Sequence, residues 1–220
     1  REDKAYLIGS TYDEAFLLAF DRISMSFSTV ANAPEALKTE TFILDGDSVL
    51  FTGGGVVAYS NQFVRQFWKY NMSSGGWSRL NDLPFECFGV NGFSVNGRFF
   101  AIDLQRNLWE YNPAEDTWTQ KATLESGFGG NRSAAVGFSI GDKGYLGSGI
   151  RLDIVWIFPF TTILQDFYEY DPATDTWTMK ASLPVGARYD AVGFSIGDKG
   201  FIGMGHINID TPVYYKDFWE

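Results

Sequence analysis

The chain has 220 residues, a formal net charge of −10 and 17% aromatic residues, with a pI near 4.6. That charge repels phosphate backbones and anionic surfaces, so nucleic acid is excluded as an expected partner. One cysteine, Cys87, excludes an intrachain disulfide and a Cys-rich zinc site, and the lack of an 18-residue apolar run predicts no membrane insertion.

In chain order, the residues predict short strands cut by Gly and Pro. DKAYLIGS at 3–10 lines up with DKGYLGSG at 142–149 and opens a degenerate first unit over 3–31. A second unit covers 40–83 and contains KYNMSSGGWSRL from Lys69. A third covers 89–125 and contains EYNPAEDTWTQKA. The fourth, 134–184, begins with AVGFSIGDKG and ends with EYDPATDTWTMKA. The fifth, 190–220, opens with AVGFSIGDKG again, unchanged.

The two long segments ending in KA agree at ten of thirteen positions, and in three units a Tyr precedes a Trp by seven residues: Tyr70 and Trp77, Tyr111 and Trp118, Tyr170 and Trp177. Within a unit, AVGFSI reads as strand a and GDKG as a tight turn tolerant of positive φ. GYLGSG or GFIGMG reads as strand b, DFYEYDP as strand c stopped by Asp-Pro, and TWTMK as strand d. Four antiparallel strands per repeat, with tryptophans 41 and 59 residues apart, make an all-β chain of β-propeller blades. About five blades are visible, the first and last incomplete. The expectation is one propeller domain, or a piece of one, over 1–220, with further domains of the same polypeptide beyond it.

Gly147 with Gly149, Gly203 with Gly205, Tyr111-Asn112-Pro113, Tyr170-Asp171-Pro172, Trp118 and Trp177 together resemble the kelch repeat. The third unit departs from it, with Ile102-Asp103 where glycines are expected. The form GFSIGDKGYLG with YDPATDTWT is similar to exported kelch proteins of Bacteroidetes-type bacteria. That likeness implies a six- or seven-bladed ring and a place outside the cytoplasm: extracellular, periplasmic or on the cell surface.

Residues 154–160, IVWIFPF, carry no polar side chain, and the repeat puts them in the b–c connection of the fourth unit, outside its strands. Leaving Trp156, Phe158 and Phe160 bare forgoes on the order of ten kcal/mol of burial. The segment is expected to be covered by the chain itself, by a protein partner or by a glycan. Tyr214 and Tyr215 lie in the matching connection of the fifth unit. Arg132 and Arg188, the latter followed by Tyr189, hold the same place before strand a in successive units. The kelch likeness implies that this place opens toward a central channel, on the face of the d–a and b–c connections. Two readings stand for the arginines: ion pairs with carboxylates of the blade, or contact with a ligand.

Chemistry is sparse. The one histidine, His206, reads as a loop residue. No nucleophile elbow or phosphate loop occurs, so no catalytic residue, metal or cofactor is assigned. The reading is a non-enzymatic binding or scaffold propeller that engages protein or glycan through the b–c and d–a loops. One alternative is a sugar-processing enzyme of the neuraminate-epimerase kind, which would set carboxylates of raised pKa against Arg132 and Arg188. Another is a structural propeller with 154–160 as a seam between domains or subunits.

Overall fold

A computed structural model describes residues 4–10, 15–32, 34, 42–45, 49–55, 63–87, 89–125, 131–155, 158–208 and 211–220. The described residues form antiparallel strands and turns without a helix. The first sheet holds β1 (Lys4–Ser10), β2 (Ala15–Asp21) and β3 (Ser26–Asn32). The second holds β4 (Phe42–Asp45), β5 (Val49–Gly53), β6 (Phe67–Asn71) and β7 (Gly76–Leu80). The third runs from β8 (Asn91–Val95) through β9 (Arg98–Ile102) and β10 (Leu108–Asn112) to β11 (Thr117–Gln120).

The fourth sheet is ordered β12 (Val136–Ile140), β13 (Lys143–Gly147), β16 (Phe167–Asp171), β17 (Thr176–Lys180). Between its second and third strands stands a separate hairpin, β14 (Ile150–Val155) with β15 (Phe158–Ile163). The fifth sheet is ordered β18 (Val192–Ile196), β19 (Lys199–Gly203), β22 (Phe218–Trp219), and carries a smaller hairpin, β20 (His206–Ile207) with β21 (Val213–Tyr214). These antiparallel sheets, three of them four-stranded and two with three described strands, are propeller blades, and the fold is an all-β propeller.

One expectation is corrected. IVWIFPF is not a loop: Ile154 and Val155 end β14, and Phe158 to Phe160 begin β15, in register from Ile150 opposite Ile163 to Val155 opposite Phe158. The connection is long enough to pair with itself, and self-pairing satisfies backbone groups that the blade cannot reach. Likewise His206 lies in a short strand, opposite Tyr214.

Chain contacts divide into two compact units, residues 1–90 with 113–118, and residues 91–112 with 119–220. In the first, Leu17, Leu50 and Tyr70 form a buried cluster with Trp77 against it. In the second, Phe93, Phe100, Leu108, Leu146 and Tyr170 are among the core, with Trp177 packed against it. Glycine sets the spacing there. A Cβ on Gly144 would run into the ring of Phe93, and one on Gly200 into the ring of Phe138. Aromatic rings of one sheet thus lie where the next sheet has no side chain.

The seven-residue spacing of Tyr and Trp has a simple cause. Strands c and d form a hairpin with a four-residue turn, so Tyr70 sits opposite Trp77 and Tyr170 opposite Trp177. Their ring centroids are 4.9 and 5.0 Å apart. Phe20 and Phe27 make the same pair in the first sheet, at 4.9 Å.

Candidate functional site at the connections of the fourth and fifth sheets

The two arginines occupy equivalent geometry. Arg132, 3% exposed, donates from Nη1 to the Ser148 carbonyl at 2.7 Å and from Nη2 to Asp166 Oδ2 at 2.6 Å. Arg188, fully buried, donates from Nη1 to the Met204 carbonyl at 3.0 Å and to Asp217 Oδ1 at 2.7 Å, and from Nη2 to Asp217 Oδ2 at 3.1 Å. Ser148 and Met204 each follow the glycine that closes strand b, and both have positive φ. Asp166 and Asp217 each precede the phenylalanine that opens strand c. Each arginine therefore ties the residue before strand a to both ends of the b–c connection.

Of the two readings, ion pairing with blade carboxylates describes the contacts of both arginines. The Arg188 guanidinium holds the Asp217 carboxyl down to about 2, with Trp219 Nε1–H assisting. The carboxylates facing the arginines were expected to be raised on the enzymatic reading. Asp217 goes the other way, because a buried guanidinium stabilises its charged form. The Asp-Phe dipeptide at the start of strand c was the missed signal. It recurs in both units, but its role depends on a partner 34 residues away in one case and 29 in the other.

The third sheet shows what happens without an arginine. Cys87 stands in the equivalent place, and Gly55 N–H donates to its carbonyl at 2.9 Å, as Gly149 N–H donates to that of Arg188 at 2.8 Å. The thiol is buried and pushed up to about 12 by desolvation. Asp103, where the other sheets have Ser148 and Met204, accepts from Asn107 N–H and Nδ2 at 2.9 Å each and from Trp109 Nε1 at 3.1 Å.

Tyr189 and the fifth-sheet hairpin make an aromatic cluster beside Arg188. Tyr189 is buried, bridges to His206 through the backbone, and brings its ring to 4.0 Å from the imidazole. The imidazole also lies 5.2 Å from the ring of Tyr214, tilted by 45°. Tyr214 is 66% exposed. Tyr215 lies under the Arg188 guanidinium at 4.3 Å. Asp190 Oδ2 stands 3.8 Å from His206 Nε2, and burial raises its carboxyl above the usual range. The structure therefore brings together Arg188, Tyr189, Tyr214 and Tyr215, and adds His206 and Asp190 to them.

On the larger hairpin, Phe160 is exposed. Trp156 lies outside the described residues, and of Phe158 only the backbone is described. Among the described residues no group of three or more His, Cys, Asp or Glu is placed to hold a metal ion.

Fold and repeat define the class: a kelch-like β-propeller. The solved structure titled "Structure of YjhT" superposes with a TM-score of 0.61 at 15% identity, covering 92% of this chain and 72% of that one. In sequence the chain is similar to the N-acetylneuraminate epimerase of Pasteurella multocida (strain Pm70), 27% identical over 201 residues, covering 72% of this chain. The chain spans about half the length of that curated relative, 50%. No protein-family model matches the chain.

Proposed function

We propose that this protein is a carbohydrate-binding propeller whose ligand rests on the hairpin of the fifth sheet. The observation that carries the reading is the exposed ring of Tyr214, tilted against His206 at 5.2 Å, with the Asp190 carboxylate 3.8 Å from the imidazole. An aromatic face receives the C–H surface of a sugar ring, and a carboxylate accepts from its hydroxyls. The sequence likeness to a sugar epimerase supports the same class of ligand. Arg132 and Arg188 are already neutralised by Asp166 and Asp217, so recognition rests on ring faces and hydroxyl contacts.

The test is isothermal titration of the chain with N-acetylneuraminate, N-acetylglucosamine, galactose and their short oligomers. A saturable heat with at least one of them is expected. It should weaken tenfold or more in Tyr214→Ala and change little in Tyr214→Phe, which keeps the face. Binding that is indifferent to Tyr214→Ala, or no binding by any sugar, overturns the reading.

A second reading is an epimerase-like enzyme. It is favoured by the Asp190 carboxyl standing 3.8 Å from the His206 imidazole, two side-chain types that serve as acid and base in proton transfer. Proton NMR of N-acetylneuraminate incubated with the chain tests it. Stereoisomer interconversion lost in His206→Gln supports it, and spectra unchanged by the protein refute it.

A further inference from the structure

One repeat position changes character in the third unit. Leu83, Leu124 and Leu183 are equivalent, since each donates its N–H to the carbonyl of the residue two before strand c of its own unit: Leu83 to Arg65 at 2.8 Å, Leu124 to Arg106 and Leu183 to Gln165 at 2.9 Å each. Pro84 and Pro184 follow the first and last of these leucines, but Glu125 follows the middle one. The third unit thus sets an exposed carboxylate where its neighbours have a proline.

Glu125 borders a cavity of about 400 Å³ between the segment that follows the third sheet and the last two strands of the fourth, whose walls also include Tyr168, Asp175, Trp177 and Met179. Both sheets have four strands. Two hydrogen bonds fix the walls. Trp177 Nε1–H donates to the Ala122 carbonyl at 3.0 Å, and Ala122 N–H donates to Asp175 Oδ1 at 2.9 Å. Tyr168 stands directly opposite Met179 across β16 and β17, so the phenol ring and the thioether share one face.

The cavity is negative. Glu125 and Asp175 line it, and among the described residues no basic side chain does. The lysines on either side have acidic partners: Lys121 Nζ lies 3.5 Å from Glu110 Oε2, and Lys180 Nζ lies 2.9 Å from Glu169 Oε2. The Arg132 guanidinium, 5.8 Å from the centre of the Tyr168 ring, is paired with Asp166. The net charge of −10 adds to the attraction for cations. Asp175 Oδ1 already accepts from Ala122 N–H and, at 2.7 Å, from the Tyr170 hydroxyl. A primary ammonium entering here would give up several water hydrogen bonds for the few oxygens the walls hold. A methylated ammonium donates none, and meets rings and thioether through its methyl groups.

We propose that this cavity binds a small quaternary ammonium compound. Its methylated head lies on the Trp177 ring and the Met179 thioether, and Glu125 and Asp175 balance its charge. The site is separate from the hairpin assigned to sugar, so either reading can fail without the other.

The test is isothermal titration of the chain with choline, for which saturable one-to-one binding is expected. Dimethylbutanol, the uncharged analogue of the same shape, and ethanolamine, the unmethylated one, should each bind about tenfold more weakly or worse. Glu125→Pro installs the residue of the neighbouring units, and Asp175→Asn keeps an acceptor for Ala122 N–H. Each should weaken choline about fivefold by removing one charge, with thermal unfolding showing that both variants are folded. Choline without saturable heat, dimethylbutanol or ethanolamine binding as well as choline, or affinity unchanged in either variant overturns the proposal.

Discussion

Arg188 and Asp217 meet through two hydrogen bonds, 2.7 and 3.1 Å long, with the guanidinium fully buried and the carboxylate side chain 31% exposed. Removing the cation leaves a carboxylate half out of water with Trp219 Nε1–H as its remaining side-chain donor. Arg188→Met should therefore cost about 2 to 3 kcal/mol, less than a fully buried pair would, because water reaches Asp217. Urea unfolding monitored by fluorescence reads this directly.

The same pair sets an acid limit. Asp217 has a folded pKa of about 2, below the unfolded value near 3.9. A carboxyl with a depressed folded pKa stabilises the fold above its unfolded pKa, and that contribution fades as pH falls through the folded value. Between about pH 4 and pH 2 the wild-type chain should lose stability more steeply than Arg188→Met. Parallel slopes of the two proteins in that window would remove Asp217 from the account.

Trp177 separates packing from hydrogen bonding. Trp177→Phe keeps a ring against Phe93 but loses the 3.0 Å bond to Ala122, at a cost of about 1 kcal/mol. Trp177→Ala also opens a void beside the core and should cost about 3 kcal/mol or more. Thermal unfolding of the two variants side by side tests the ranking.

Gly144→Ala forces a methyl into the Phe93 ring, and overpacking of this kind costs about 1 to 3 kcal/mol. Pairing it with Phe93→Leu should recover part of the loss, because the smaller side chain vacates the contact. A double-mutant cycle with no coupling would show that the glycine is there for another reason.

Cys87 is buried, with its thiol pushed up to about 12. It should resist iodoacetamide at pH 8 in the folded chain and react fully in urea. Mass spectrometry of the alkylated chain distinguishes the two states.

Much of the fold was legible because the repeat writes local rules into the sequence. The Tyr to Trp interval encodes a c–d hairpin, and the glycines of strands a and b encode where rings from the adjoining sheet lie. The site was less legible. Arg132 and Arg188 stood out by their repetition, but their aspartates lie across connections of unequal length, where spacing carries no pattern. Tyr189 and Tyr214 are chemically alike, yet one is buried and the other exposed. That difference comes from the short β20–β21 hairpin, which no sequence period announces. IVWIFPF concealed a hairpin for a related reason: an apolar run shows no alternation, so neither strand of the pair declares a face.

The β14–β15 hairpin keeps its ladder to itself, from Ile150 opposite Ile163 to Val155 opposite Phe158. The fourth sheet holds it at the base, where Ser133 and Ile150 exchange hydrogen bonds and Leu164 N–H reaches Gly149. Residues gained or lost between Val155 and Phe158 change the reach of this arm without shifting a single strand of the sheet beneath. The arm's length can therefore vary while the AVGFSIGDKG strands stay fixed.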